Sequence, residues 1–225
     1  MGSDFPFPKK SEHTTILGRT GSGKSHLGTW LLSHAPFDEM PYVIFDYKGD
    51  ELLNSIGAVS LPITSDPPDK PGVYISHLIP EINDEAREAF LWKLHARGRT
   101  GIYVDEGFNF ANSNALNTIL MQGRSKELPC YINSQRPSWI SRYAFSEASH
   151  FVLFHLNDRR DRVKVREFFD GYKEERLPPF HAQWYAVNQD KNFLLPPVSG
   201  SDKIRSRFTE RLADLNEAKS SSRFF

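Results

Sequence analysis

Gly18-Arg19-Thr20-Gly21-Ser22-Gly23-Lys24-Ser25 follows a short β-branched run, Thr14-Thr15-Ile16-Leu17. It opens a segment, Lys24 to Ser33, whose Leu27, Trp30 and Leu31 share one helical face. Strand, glycine-rich turn and helix in that order match the P-loop pattern without a gap. The glycines let the loop fold back so that successive backbone N–H groups point inward at phosphate oxygens. The helix N-terminus adds its partial positive charge. Lys24 can reach the β- and γ-phosphates of a bound nucleotide, and Ser25 can ligate Mg²⁺. Gly18, Arg19, Thr20, Gly21, Ser22, Gly23, Lys24, Ser25 and the adjoining His26 are therefore candidate nucleotide-binding residues.

Outward from this loop, apolar runs alternate with helical patterns. Tyr42-Val43-Ile44-Phe45, Ile102-Tyr103-Val104, Cys130-Tyr131-Ile132 and Phe151-Val152-Leu153-Phe154 read as strands buried on both faces, with a shorter one at Val73-Tyr74-Ile75. Helices are predicted over 84–96, 114–126, 139–148 and 158–169, and 62–71, with four prolines, must be loop. The pattern predicts an α/β fold with a mostly parallel sheet and helices on both faces. Four segments are expected: an extended arm (1–12), the P-loop core (13–176), a β-hairpin extension (177–200) and a helical tail (201–225). In the hairpin, 181–187 and 193–195 flank a turn. In the tail, Ile204, Phe208, Leu212 and Leu215 fall on one face, to pack on the core or on a neighbour.

The chain has 225 residues, enough to bury a large core without staples. Its 28 basic and 28 acidic side chains cancel, which argues against a general nucleic-acid coat or a basic membrane-surface protein but leaves room for a local basic pore. A single cysteine, Cys130, excludes an internal disulfide framework and fits a reducing compartment. No apolar run approaches the roughly 18–20 residues of a membrane span, and the N-terminus has no signal-peptide core, so a soluble intracellular protein is expected. The eight histidines lack ligand spacing, so no structural metal is implied.

The second chemical signal is Ile102-Tyr103-Val104-Asp105-Glu106. An apolar strand delivers two adjacent carboxylates to its C-terminal end, where ligands of doubly wound sheets bind. Asp105 would hold Mg²⁺ through water and Glu106 would act as general base on the attacking water. The third is Cys130-Tyr131-Ile132-Asn133-Ser134-Gln135-Arg136-Pro137. A polar side chain ending this strand could sense the γ-phosphate; Gln135 is the first choice, Asn133 the second.

These stretches, with Val43-Ile44-Phe45-Asp46-Tyr47-Lys48-Gly49-Asp50 and Gln122-Gly123-Arg124-Ser125-Lys126, occur in an order that resembles the FtsK–HerA superfamily of DNA-pumping ATPases. Within it, Gln135-Arg136-Pro137-Ser138-Trp139 and Phe154-His155-Leu156-Asn157-Asp158-Arg159-Arg160-Asp161 look most like the genome-packaging ATPases of icosahedral viruses with an internal membrane. The resemblance covers about residues 13–170. It implies a RecA-like (ASCE) P-loop ATPase, working with ATP and Mg²⁺ as a homo-oligomeric, typically hexameric, ring on double-stranded DNA. Capsid or membrane-vertex proteins would be its docking partners, in host cytoplasm and at the virion packaging vertex. It also implies that Gln135 is the sensor and Arg124 the arginine finger acting on the neighbouring subunit. Arg142, Arg159 and Arg160 remain alternatives for the finger. The long N-terminal membrane region and C-terminal winged helix of cellular members are not seen, which weakens a chromosome-translocase reading.

Three other functions compete: a plasmid, conjugation or repair pump of the same superfamily; a small-molecule kinase, against which the adjacent Glu106 argues; and a nucleotide-dependent assembly scaffold. The basic run Arg159 to Arg166, diluted by Asp158, Asp161 and Glu167, reads as a solvated helix or subunit contact. Phe224-Phe225 reads as a disordered end or a docking peptide.

Overall fold

Residues 5–169 and 171–221 are described by the computed structural model; Phe224-Phe225 and Met1-Gly2-Ser3 lie outside them. The described residues form nine strands: β1 (His13–Leu17), β2 (Pro41–Asp46), β3 (Val59–Ser60), β4 (Gly72–His77), β5 (Gly101–Val104), β6 (Cys130–Ser134), β7 (Ala148–Leu153), β8 (Ala182–Ala186) and β9 (Lys191–Leu195). They join one sheet in the order β3-β4-β2-β5-β6-β1-β7-β8-β9. From β3 to β7 every pairing is parallel; β8 and β9 extend the sheet antiparallel. The helices are α1 (Lys24–His34), α2 (Glu51–Asn54), α3 (Asp84–Arg97), α4 (Asn114–Gln122), α5 (Tyr143–Ser146), α6 (Arg159–Arg166) and α7 (Ser201–Ser221).

Strand side chains alternate between two cores, as the pleat requires. Val43, Phe45, Ile102, Val104 and Ile132 face Phe90 and Leu94 of α3 and Leu116 and Ile119 of α4. Tyr42, Ile44, Tyr103, Tyr131 and Val152 face Leu27 and Leu31 of α1, Leu53 of α2 and Phe208 of α7. The fold expectation is met: a mostly parallel sheet with helices on both faces, a C-terminal hairpin and a helical tail.

The tail packs on its own chain. Phe208 stacks on Phe37 at 5.5 Å between centroids, and Arg211 sits 4.0 Å over the same ring. Arg207 and Arg211 donate to the Ser33 carbonyl, and Arg211 also to Ala35 O, at the C-terminal end of α1. Cations there satisfy orphan carbonyls and complement the helix dipole. At the other terminus Phe5 meets Trp184 edge-on at 4.9 Å and Phe7 stacks on His34.

Three predicted helices are shorter than their patterns; of 158–169 only α6, Arg159–Arg166, is helical. The 139–148 segment is a 3-10 turn (Pro137–Trp139), extended backbone at Ile140 and the single turn α5. Ala148, Ser149 and His150 are already strand, all buried, with Ala148 and His150 in register with β1. Sheet pairing overrides the helical pattern there. Likewise α4 ends at Gln122, and Gly123–Lys126 tightens into a 3-10 turn closed by Leu128 N–H donating to Gly123 O at 2.9 Å.

Candidate active site

All seven parallel strands point their C-terminal ends at one edge of the sheet, and the predicted site residues collect along it. The P-loop leaves β1 at the centre. Gly23 caps α1 at φ +101°, a left-handed conformation that costs any side chain-bearing residue strain. A Cβ on Gly18 would lie 2.6 Å from Phe154 Cβ, so the loop can pass only without one. The Lys24 ammonium folds back across the loop and donates to Arg19 O at 3.0 Å. Burial, then the Lys48 charge, lowers its pKa to about 8, against the pull of Asp105. Arg19, Thr20 and Gly21 are exposed at the loop tip, and Ser22 is buried.

β5 delivers Asp105 and Glu106, both buried, beside the P-loop. Ser25 Oγ donates to Asp105 Oδ1 at 3.4 Å, while Asp105 Oδ2 has no partner. Burial holds the Asp105 pKa above the usual carboxylate range. A buried carboxylate with one oxygen on a hydroxyl and the other without a donor fits a divalent cation held by Ser25 and Asp105. Glu106 sits at φ +63°, a conformation uncommon outside glycine and asparagine, which turns its carboxylate back over the edge. Its Oε1 accepts from Gln135 Nε2 at 2.5 Å, and its Oε2 is buried without a partner. Gln135 Oε1 in turn accepts the Thr20 hydroxyl. Gln135 therefore bridges the P-loop and Glu106, whereas Asn133 is buried deeper and donates to Tyr103 Oη.

One member of the constellation has no assigned role in the sequence reading. Lys48 pairs with Glu106 Oε1. It is placed there by Asp46, whose Oδ1 accepts the N–H groups of Lys48 and Gly49, each at 3.0 Å, in a tight Asx turn. Asp50 then caps α2 through Leu52 N and Leu53 N. The stretch Asp46 to Asp50 is thus a device for projecting one ammonium across to β5. The signal in the sequence is Asp46-Tyr47-Lys48-Gly49-Asp50 at a strand end.

The arginines are not brought to the cradle. Arg124 lies in the 3-10 turn before β6, at the opposite end of that strand from Gln135. The five-residue strand between them spans roughly 16 Å. Its guanidinium is exposed and, among the described residues, enters no hydrogen bond or ion pair. Arg142 covers the Phe168 ring at 5.2 Å. Arg159 and Arg160 are exposed on α6, near the site edge. Arg136, next to Gln135, pairs with Asp158 and Asp161 and lies 4.5 Å over Trp139, tying the strand end to α6. His26 lies on the first turn of α1, its Nε2 2.8 Å from Ser199 O.

A P-loop, a strand-borne Asp-Glu pair and a polar residue ending the neighbouring strand define a P-loop ATPase of RecA-like architecture. Comparison with known proteins narrows the class. The helicase HerA central domain matches residues 9–51. The chain is 36% identical over 212 residues to the DNA packaging ATPase P9 of Enterobacteria phage PRD1, a match covering 89% of the chain and 93% of P9. It belongs to the P9 family of packaging ATPases, within the FtsK–HerA superfamily. The genome packaging NTPase B204 of Sulfolobus turreted icosahedral virus 2, solved with AMP, superposes with a TM-score of 0.66 at 18% identity, over 85% of the chain and all of B204. EssC (ATPases 2 and 3) of Geobacillus thermodenitrificans gives the same TM-score at 13% identity, over 92% of the chain and 45% of EssC. These structures share the fold, and the sequence match selects the family.

Proposed function

We propose that this chain is the ATP-hydrolysing ring motor that drives double-stranded DNA into a viral capsid. The observation that carries the reading is the near full-length identity to a phage DNA packaging ATPase, joined to an edge where Lys24, Asp105, Glu106 and Gln135 converge. The plasmid, repair, kinase and scaffold alternatives have no comparable support. In this reading residues 13–176 are the motor core, with the hairpin (177–200) and tail (201–225) as accessories.

The geometry supports the following roles. Backbone N–H groups of Gly18 to Ser25 and the α1 N-terminus cradle the β- and γ-phosphates, with Lys24 as the fixed cation. Ser25 and, through water, Asp105 would hold Mg²⁺, which when bound neutralises phosphate charge. Glu106 accepts the proton of the attacking water, and its unpartnered Oε2 is the free acceptor. Gln135 links Glu106 to Thr20 and so connects the base to the loop that holds the γ-phosphate. Arg124, too far from its own cradle, acts on the adjacent subunit's nucleotide, which makes hydrolysis depend on a homo-oligomeric ring, taken as a hexamer. Capsid or membrane-vertex proteins would dock that ring at the packaging vertex. Among the described residues no helix is long and apolar enough to cross a membrane.

The test is phosphate release by the purified protein with and without double-stranded DNA. Several-fold stimulation by DNA is expected. Hydrolysis indifferent to DNA at all protein concentrations would sink the translocation reading and leave only an ATPase.

A further inference from the structure

The hydrolytic groups all lie to one side of the P-loop. Lys48, Asp105 and Gln135 come from the ends of β2, β5 and β6, on one flank of β1. On the other flank, beyond β7 and β9, a cavity of about 350 Å³ opens directly off Gly23 and His26. Its walls are the Phe154 and Phe180 rings and Pro196-Pro197. A nucleotide whose γ-phosphate faces Glu106 must run its α-phosphate and ribose past α1's first turn, toward this cavity. The volume lies at the lower end of the ~300–1,000 Å³ of small-ligand sites.

Two further observations point the same way. Phe180 is 59% exposed, yet a Cβ placed on Gly23 would lie 3.3 Å from its ring, so an aromatic ring is held against the phosphate loop while more than half of the residue stays open to solvent. It is held there at φ +61° after Pro178-Pro179, with His181 N–H donating to Pro178 O at 3.1 Å. An exposed phenylalanine in a left-handed conformation is a local cost that a ligand clamp would explain.

We propose that this cavity is the base-binding half of the nucleotide site, built by the C-terminal extension and taking a purine ring by packing between Phe154, Phe180 and Pro196-Pro197. The inference rests on the ATPase reading above and deepens it. Because the walls are rings and prolines, discrimination comes from shape and stacking. A site of this kind separates related ligands by only about 10–200-fold, against 10⁴ or more for one built on buried hydrogen bonds. ATP and GTP affinities should therefore differ by no more than about 200-fold.

The experiment is calorimetric titration of the full chain with Mg-ATP, Mg-GTP and inorganic tripolyphosphate, for the wild type, Phe180→Ala and Phe180→Trp. Losing one stacking face should weaken ATP and GTP about 5- to 100-fold in Phe180→Ala. Tripolyphosphate, which has no base, should bind as before, and Phe180→Trp should retain nucleotide affinity. ATP binding unchanged in Phe180→Ala overturns the proposal. So does an equal loss for tripolyphosphate, which would make Phe180 a support of the loop instead. A preference of 10³ or more for ATP over GTP in the wild type overturns recognition by packing. If tripolyphosphate and ATP do not compete in the wild type, the phosphate-site reading fails first, and this one with it.

Discussion

The two flanks of the P-loop are built from opposite materials. On the β2–β5–β6 side, Lys48, Asp105, Glu106 and Gln135 put two cations, with Lys24, against two buried carboxylates. On the β7–β9 side, aromatic rings and prolines leave almost nothing to hydrogen-bond. Charge that must be aimed within a fraction of an ångström is placed by strand ends and tight turns, because electrostatic stabilisation depends on preorganised geometry. Packing tolerates a looser frame, and loops after the last strands suffice. The first flank should govern turnover and the second affinity.

The sharpest way to break that division is Arg124→Ala. A finger of this kind contributes ~10³–10⁵ in rate, so turnover should fall by about that factor with ATP affinity nearly unchanged. Mixing Arg124→Ala with Glu106→Gln should restore part of the activity, since one mixed interface pairs an intact Glu106 with a neighbour's intact Arg124. If mixed rings form, verified by native mass spectrometry, yet stay inactive, the finger moves to Arg142, Arg159 or Arg160.

Glu106→Gln comes next. The amide keeps the size of the side chain and a hydrogen bond to Gln135 but cannot accept the water's proton. Turnover should drop about 10²–10⁴-fold with Mg-ATP still bound. Single-turnover phosphate release within a few-fold of wild type would remove Glu106 from the base role.

What could be read in the chain, and what could not, follows the same division. Gly18 to Ser25 and Asp105-Glu106 were legible because each is contiguous, and strand ends carry them to one edge. Gln135 is preferred to Asn133 on its place at the strand end and on the family resemblance, and the structure brings Gln135 to Glu106 and Thr20. The role of Lys48 has no mark in the sequence, because its reach to Glu106 depends on the Asx turn at Asp46 and on β2 lying beside β5. The Phe154–Phe180 cavity left no sequence signal: its walls come from segments far apart, with no period or spacing to connect them. The 139–148 helix pattern overreaches at both ends: the 3-10 turn and extended Ile140 take its start, and Ala148 pairs with β1 at its end.

A smaller effect lies at the boundary between the flanks. In the ligand-free protein Lys24 is held near pKa 8, chiefly by burial. Bound phosphate favours the ammonium and raises that value, so above about pH 8 binding must take up a proton. ATP affinity should be flat with respect to this group below pH 8. Above it, affinity should fall by up to about tenfold per pH unit, until the bound-state pKa is reached. Lys24→Arg, whose charge does not titrate here, should show no such limb. A basic limb that persists unchanged in Lys24→Arg would assign it to another group.

Lys48→Ala gives the smallest expected change and the most local one. After burial, the Lys48 charge is the next cause of the depressed Lys24 pKa. Removing it raises the Lys24 pKa, so the basic limb of ATP affinity should move to higher pH. The sign is opposite to that for loss of a phosphate-binding cation, which lowers affinity at every pH. Lys48 pairs with Glu106 at the rim of the cradle and stands close enough to Lys24 to perturb it, so both effects are expected: its charge on the bound phosphate and its field on Lys24. Affinity at pH 7 should therefore fall only a few-fold, and the deficit should shrink as pH rises, because the variant keeps Lys24 charged where the wild type is losing it. Titrating both proteins with Mg-ATP between pH 7 and 9.5 decides the matter. Parallel curves would mean that Lys48 acts on phosphate alone; coincident curves would place it outside the nucleotide's field and return the Lys48–Glu106 pair to a purely structural part.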